Sequence, residues 1–136
     1  MAALIVDTSA LLAVLLQESD AVKFATALAS ATELRMAAPT WLEAAMVATA
    51  RSGDAGRQEM ANFLDALGIG VVPVDRAIAE IALSGWLRYG KGRHPAGLNY
   101  GDCFSYALAR QRGEALLFKG NDFALTDVLS ATQAMD

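Results

Sequence analysis

The stretch Ala3-Leu4-Ile5-Val6-Asp7-Thr8-Ser9 decides how the chain is read. An apolar, partly β-branched run, short enough for one buried strand, breaks off at Asp7, and hydroxyl residues follow where a helix begins. A carboxylate therefore stands at the C-terminal end of a strand. Ligands of open α/β sheets bind outside that edge, so Asp7 is a candidate site residue. The plainer alternative is that Asp7 caps the helix Ser9 to Leu16, because Asp is a preferred N-cap.

Outward from this strand the same alternation repeats. Asp20 reads as the N-cap of a second helix through Ala31, and a short strand from about Leu34 to Ala38 ends at Pro39. Thr40 opens a helix from Trp41 to Arg51. The Arg51-Ser-Gly-Asp-Ala-Gly56 stretch reads as a loop, after which Asp54 caps a helix running to Leu67. Ile69 to Val74 is a β-branched strand, Asp75 caps a helix from Arg76 to about Tyr89, and residues 90–97 carry loop chemistry. Asn99 starts the helix Tyr100 to Arg112, which Gly113 closes. Ala115 to Phe118 is a further strand, a turn of helix follows around Asp122, and the last residues add a short edge strand. Strands separated by helices predict a three-layer α/β/α fold around a mainly parallel sheet of four or five strands. With no repeat or linker, residues 1–136 read as a single domain.

The totals narrow the function. Of 136 residues, 54% are hydrophobic and 19% charged, which suits a folded core. A net charge of -4 argues against a surface coated in positive charge, although a local basic patch is compatible with it. One cysteine, Cys103, and one histidine, His94, are too few for a disulfide framework or a Cys/His zinc site, so any metal is held by oxygen. The apolar start, interrupted by Asp7, reads as neither signal peptide nor membrane anchor, and the expected location is the cytoplasm.

A parallel sheet collects at its C-terminal edge the loops that follow each strand. Asp7 is there directly, Glu43 and Asp102 lie in the opening turns of helices, and Asp122 lies just beyond the Ala115 to Phe118 strand. Each has a local explanation: Thr40-x-x-Glu43 matches a capping box, Asp102 suits a helix dipole, and Asp122 suits a cap. Jointly those explanations are weak. Four carboxylates in one crevice repel unless some are protonated or a cation sits among them. Oxygen ligands alone suit Mg2+ or Mn2+, and a divalent pair roughly 3.5 to 4 Å apart serves phosphodiester hydrolysis.

The opening stretch, Glu43 in an early alanine-rich helix, Leu98-Asn-Tyr-Gly-Asp102-Cys-Phe-Ser-Tyr-Ala-Leu-Ala109 and Leu116-Leu-Phe-Lys-Gly-Asn-Asp122-Phe123 together resemble the PIN domain, and within it the VapC ribonuclease toxins of bacterial toxin-antitoxin pairs. The resemblance implies a PIN-like fold and a Mg2+- or Mn2+-dependent endoribonuclease. It implies that Asp7, Glu43, Asp102 and Asp122 form the catalytic acidic quartet, with Asp7 and Asp102 as principal metal ligands. Thr8 or Ser9 would support the water of the metal, and Asn99 would orient Asp102. Asp127 is a weaker contender for the fourth acid. The resemblance further implies a homodimer and a VapB-like antitoxin that occupies the active-site groove. Leu11, Leu12, Leu15, Trp41 and Met46 are candidates for such surfaces and equally for the core.

For the RNA, Arg88, Lys91 and Arg93 occur with Trp86, Tyr89, His94 and Tyr100 interleaved in an acid-free stretch before Asp102. Such a mixture pairs with phosphates and stacks on unpaired bases. Two other functions compete. A phosphoacceptor receiver-like signalling domain needs a second acid beside Asp7, and an Asp-x-Asp phosphatase needs one where Ser9 stands. A non-catalytic PIN-like binding module has no evident reason to keep four repelling carboxylates.

Overall fold

A computed structural model of the chain describes residues 2–131. Strands β1 (Ala3–Val6), β2 (Glu33–Ala37), β3 (Gly70–Val72) and β4 (Ala115–Leu117) form one parallel sheet in the order β3-β2-β1-β4. Ile5 stands opposite Arg35 on one side and Leu116 on the other. Side chains alternate between the two faces of the sheet. Ile5, Ala37 and Leu116 therefore pack under α4 (Arg76–Tyr89) and α5 (Tyr100–Arg112). Val6, Met36 and Leu117 pack under α1 (Thr8–Leu15), α2 (Ala21–Ser30) and α3 (Ala38–Leu67). The architecture is the expected three-layer α/β/α fold.

The chain steps outward from β1 to β2 to β3, then returns to the far side of β1 as β4. Such a reversal opens a crevice outside the C-terminal ends of the two strands that flank it, here β1 and β4. A receiver domain has the strand order 2-1-3-4-5, so this order excludes that reading. Among the described residues no helix is long and apolar enough to cross a membrane.

Several local expectations are corrected. The helix after β2 begins at Ala38, with Pro39 in its first turn, where the fixed φ of proline suits a helix start. Its N-cap is Ala37, with no side-chain cap, so the Thr40-x-x-Glu43 capping box does not form and Glu43 lies in the second turn. The loop expected at 51–56 is only a kink: Ser52 (φ -139°) and Gly53 (φ 60°) leave helical geometry, and the helix resumes to Leu67. Asp54 is thus internal to α3. Gly53 supplies the positive φ that a side chain disfavours. The expected terminal edge strand is reduced, among the described residues, to a single parallel bridge of Ser130 with Leu116, and its remainder falls outside them.

The α4–α5 packing depends on the absence of a side chain at Gly85, where a Cβ would come within 2.5 Å of the Tyr106 ring. Overpacking of this kind costs about 1–3 kcal/mol, against a helix-propensity gain of about 1 kcal/mol on replacing glycine by alanine. Gly85→Ala is expected to lower the urea midpoint without changing the slope; a raised midpoint would contradict the packing described.

Candidate active site

Asp7 closes β1 and is simultaneously the N-cap of α1, its Oδ2 accepting the Ser9 N–H at 3.1 Å and the Ser9 hydroxyl at 2.6 Å. Asp7 thus makes the cap, and the same carboxylate stands at the C-terminal edge of the sheet. Capping falls to Asp7 itself rather than to Thr8 or Ser9. The Ser9 hydroxyl accepts in turn from the backbone N–H of Lys119, just after β4, which ties the two strand ends across the crevice.

Asp102 enters from the first turn of α5. Its Oδ2 accepts the Asn99 N–H at 3.0 Å while Asn99 Oδ1 accepts the Asp102 N–H at 2.9 Å, a reciprocal capping box. The Asn99 backbone N–H thereby holds the Asp102 carboxylate, while the Asn99 side chain holds the Asp102 backbone. Glu43 projects from α3, with Oε1 accepting the Thr8 hydroxyl at 2.7 Å. Its Oε2 lies against Gly101, where a Cβ would stand 2.8 Å away, so glycine at that position makes room for the carboxylate. Asp122 precedes the short 3-10 turn Phe123–Leu125 and is exposed, with no capping hydrogen bond of its own.

The other three acids all lie near enough to act on Asp102. Burial pushes the Asp102 carboxyl up to about 6, the Asn99 N–H pulls the other way, and Asp7, Asp122 and Glu43 add to the rise. Their carboxylates stand apart: among the described residues no three already share ligand geometry. The opposite edge of the sheet differs, for there Glu33 and Glu114 pair with Arg35 at 2.6 and 3.3 Å. Lys119, though adjacent in chain, sends its ammonium to Glu18 and Asp20 at 2.7 and 3.1 Å instead. The donor set is all oxygen, it carries negative charge in excess, and it fits a hard divalent cation. Burial, then the charge of Asp102, pushes the Cys103 thiol up to about 11, which leaves it a poor nucleophile.

Other candidates are placed elsewhere. Asp127 accepts from the Tyr106 hydroxyl at 2.8 Å and pairs with Arg88 and Arg110, away from the quartet's interactions. Arg88 is thus partly committed to an ion pair. The Arg93 guanidinium stacks over Trp86 at 4.5 Å, and Lys91 is exposed. The loop that carries them is ordered by hydrogen bonds from Lys91 N to Leu98 O and from Leu98 N to Tyr89 O, with Ala96 and Leu98 buried. Of the apolar candidates, Leu11 is core, whereas Trp41 and Met46 are exposed. With Leu42, Val74, Tyr100 and Phe104 they line a groove of about 940 Å³ that reaches Glu43 and Asn99. Ser105 and Thr40, both buried beneath Asp7, had no place among the sequence candidates. The signal was a serine one turn beyond Asp102 in an otherwise largely apolar helix.

The PIN domain family matches this chain over residues 4–129. A protein named Ribonuclease VapC from Mycolicibacterium smegmatis is 47% identical over 125 residues, which cover 92% of this chain and 97% of that protein. Among solved structures, Mycobacterium tuberculosis VapC20, described as a sarcin-ricin loop cleaving toxin, matches with a TM-score of 0.77 at 19% identity over 94% of this chain and 98% of its own. A chain from a toxin-antitoxin complex of Klebsiella pneumoniae matches with a TM-score of 0.68 at 20% identity, covering 90% and 92%.

The raised Asp102 value sets a pH dependence. The metal-free fold binds this proton more tightly than the unfolded chain, so the associated stability is fully present below about pH 4 and is lost as pH rises through about 6. Asp102→Asn keeps the acceptor for the Asn99 N–H and removes the charge. In EDTA its melting temperature is expected to match the parent near pH 4 and exceed it above pH 7; the reverse order would refute the crowding of acids.

Proposed function

The chain belongs to the PIN-domain family, with VapC ribonucleases among its near relatives, and we propose that it is a Mg2+- or Mn2+-dependent endoribonuclease acting as the toxin of a VapBC-type pair. The observation that carries this reading is the crevice between β1 and β4, where Asp7, Glu43 and Asp122 all act on Asp102, with no ion-pair partner for any of the four among the described residues. When bound, the divalent cation neutralises charge on the phosphodiester and lowers the pKa of a water for attack on phosphorus.

The chain's own residues prepare that site. Asp7 and Asp102 hold the cation, and Glu43 and Asp122 complete the pocket. Asn99 fixes Asp102 through Oδ2 and leaves Oδ1 open, and Thr8 fixes Glu43 through Oε1 in the same manner. Each of these two carboxylates is thereby given a direction by a neutral donor. Lys91 and Arg93, with Arg88 once released from Asp127, hold the phosphates of the RNA beside the crevice. The protein acts in the cytoplasm as a single domain, and its assembly is a homodimer. Exposed Trp41, Leu42 and Met46 beside Glu43 support a VapB-like antitoxin whose apolar segment covers the groove and whose basic residue meets the acids.

Purified protein freed of antitoxin is expected to cleave RNA with Mg2+ or Mn2+ and to stop on addition of EDTA. Asp7→Asn should lower the rate at least about 100-fold, the scale for losing one preorganised electrostatic group, with circular dichroism unchanged. Full activity in that variant would end the metal-nuclease reading. Replacing Arg88, Lys91 and Arg93 together by alanine should weaken RNA binding and flatten the salt dependence, by roughly one unit of slope for each phosphate no longer neutralised. An unaltered slope would return the loop to ordinary solvated surface.

A further inference from the structure

Asp7 is the most enclosed of the four acids, 5% exposed, and its carboxylate already accepts three hydrogen bonds. A carboxylate offers about four lone-pair sites. Oδ2 is filled by the hydroxyl and the N–H of Ser9. Oδ1 accepts the Ser105 hydroxyl at 2.6 Å and keeps one site free. Ser105 lies on α5, is 1% exposed, and meets Thr40 Oγ1 at 3.3 Å. A hydroxyl has one proton to give. With that proton on Asp7, Ser105 faces Thr40 as an acceptor, so Thr40 donates to Ser105 and Ser105 donates to Asp7. The three groups come from α3, α5 and the end of β1, and all three are buried.

We infer that Thr40 and Ser105 form a buried hydroxyl relay that turns the free lone pair of Asp7 Oδ1 toward the crevice, which makes Ser105 a positioning residue for divalent-cation binding. The inference rests on the reading of the crevice as a Mg2+ or Mn2+ site. Ser105 is not needed to secure the cap, because the Ser9 N–H already makes the capping hydrogen bond of α1 and the Ser9 hydroxyl holds the same oxygen. A helical serine also has a local alternative, a bond to a backbone carbonyl one turn back. Here its hydroxyl serves instead a carboxylate 98 residues away in sequence. Groups that orient a metal ligand through a hydrogen bond typically change metal affinity when removed, by roughly 10–100-fold.

The test is calorimetric titration of Mn2+ into metal-stripped protein, with electron paramagnetic resonance of the bound ion, for wild type, Ser105→Ala, Thr40→Val and the double variant. Ser105→Ala is expected to weaken Mn2+ roughly 10–100-fold and to alter the bound-ion spectrum while far-ultraviolet circular dichroism stays unchanged. Thr40→Val leaves the Ser105 proton on Asp7 and should weaken binding less. The double variant should lose no more than Ser105→Ala alone, because the two hydroxyls act in series. A folded Ser105→Ala that binds Mn2+ as wild type does overturns the relay. Should that variant fail to fold, wild-type affinity in Thr40→Val overturns it equally. A wild type that binds no Mn2+ overturns the cation-site reading itself, and the relay falls with it.

Discussion

Like charges gathered in a half-buried crevice repel, and the parallel sheet makes this encounter unavoidable. Every strand delivers its following residue to the same edge, and the return of the chain from β3 to β4 opens that edge beside β1. Asp7 and Asp122 arrive from the two strands flanking the opening, while Asp102 and Glu43 arrive from helices on opposite faces of the sheet. The Asp102 carboxyl is raised first by burial and then by these three acidic neighbours. The fold pairs acids at its other sheet edge with Arg35 and gives these four no ion-pair partner among the described residues.

Neutral donors do the holding. Ser9, Ser105, Thr8 and the Asn99 N–H each bind one carboxylate oxygen without cancelling its charge. A lysine or arginine in any of those places would bind more strongly and would also silence the site. Hydroxyls and amides fix direction while preserving the negative potential. Glycine serves the same end at Gly101, where the lack of a side chain admits the Glu43 carboxylate.

Much of this is legible in residue order alone. Short apolar runs alternating with helical periodicity announce the layered fold, and the break at Asp7 announces the edge. Boundaries shift where one residue outweighs the pattern: Pro39 lets α3 start before Thr40, and the positive φ of Gly53 turns an expected loop into a kink. Asp127 shows the limit of chain proximity, because Tyr106 and two arginines claim it from positions distant in sequence. The same holds for Arg88, a free cation by its sequence neighbours and a paired one in the fold. Beyond the serine one turn after Asp102, the contacts of Thr40 and Ser105 are not legible in the sequence, because a buried hydroxyl gains its meaning from the partner it faces, and those partners lie on other elements.

The margins of the sheet bear on how copies of this protein can meet. On one side β3 is three residues long and is followed at once by Pro73, which has no N–H to offer a neighbouring strand. On the other, Leu116 already gives its N–H to Leu129 and takes that of Ala131, so the returning chain covers β4. Neither margin offers an extended backbone template. Strand addition, the route to fibrous aggregates, is discouraged by the construction of both edges. Much of what the described residues present to their surroundings is side chains on helices, a surface that can be altered residue by residue without disturbing the sheet behind it.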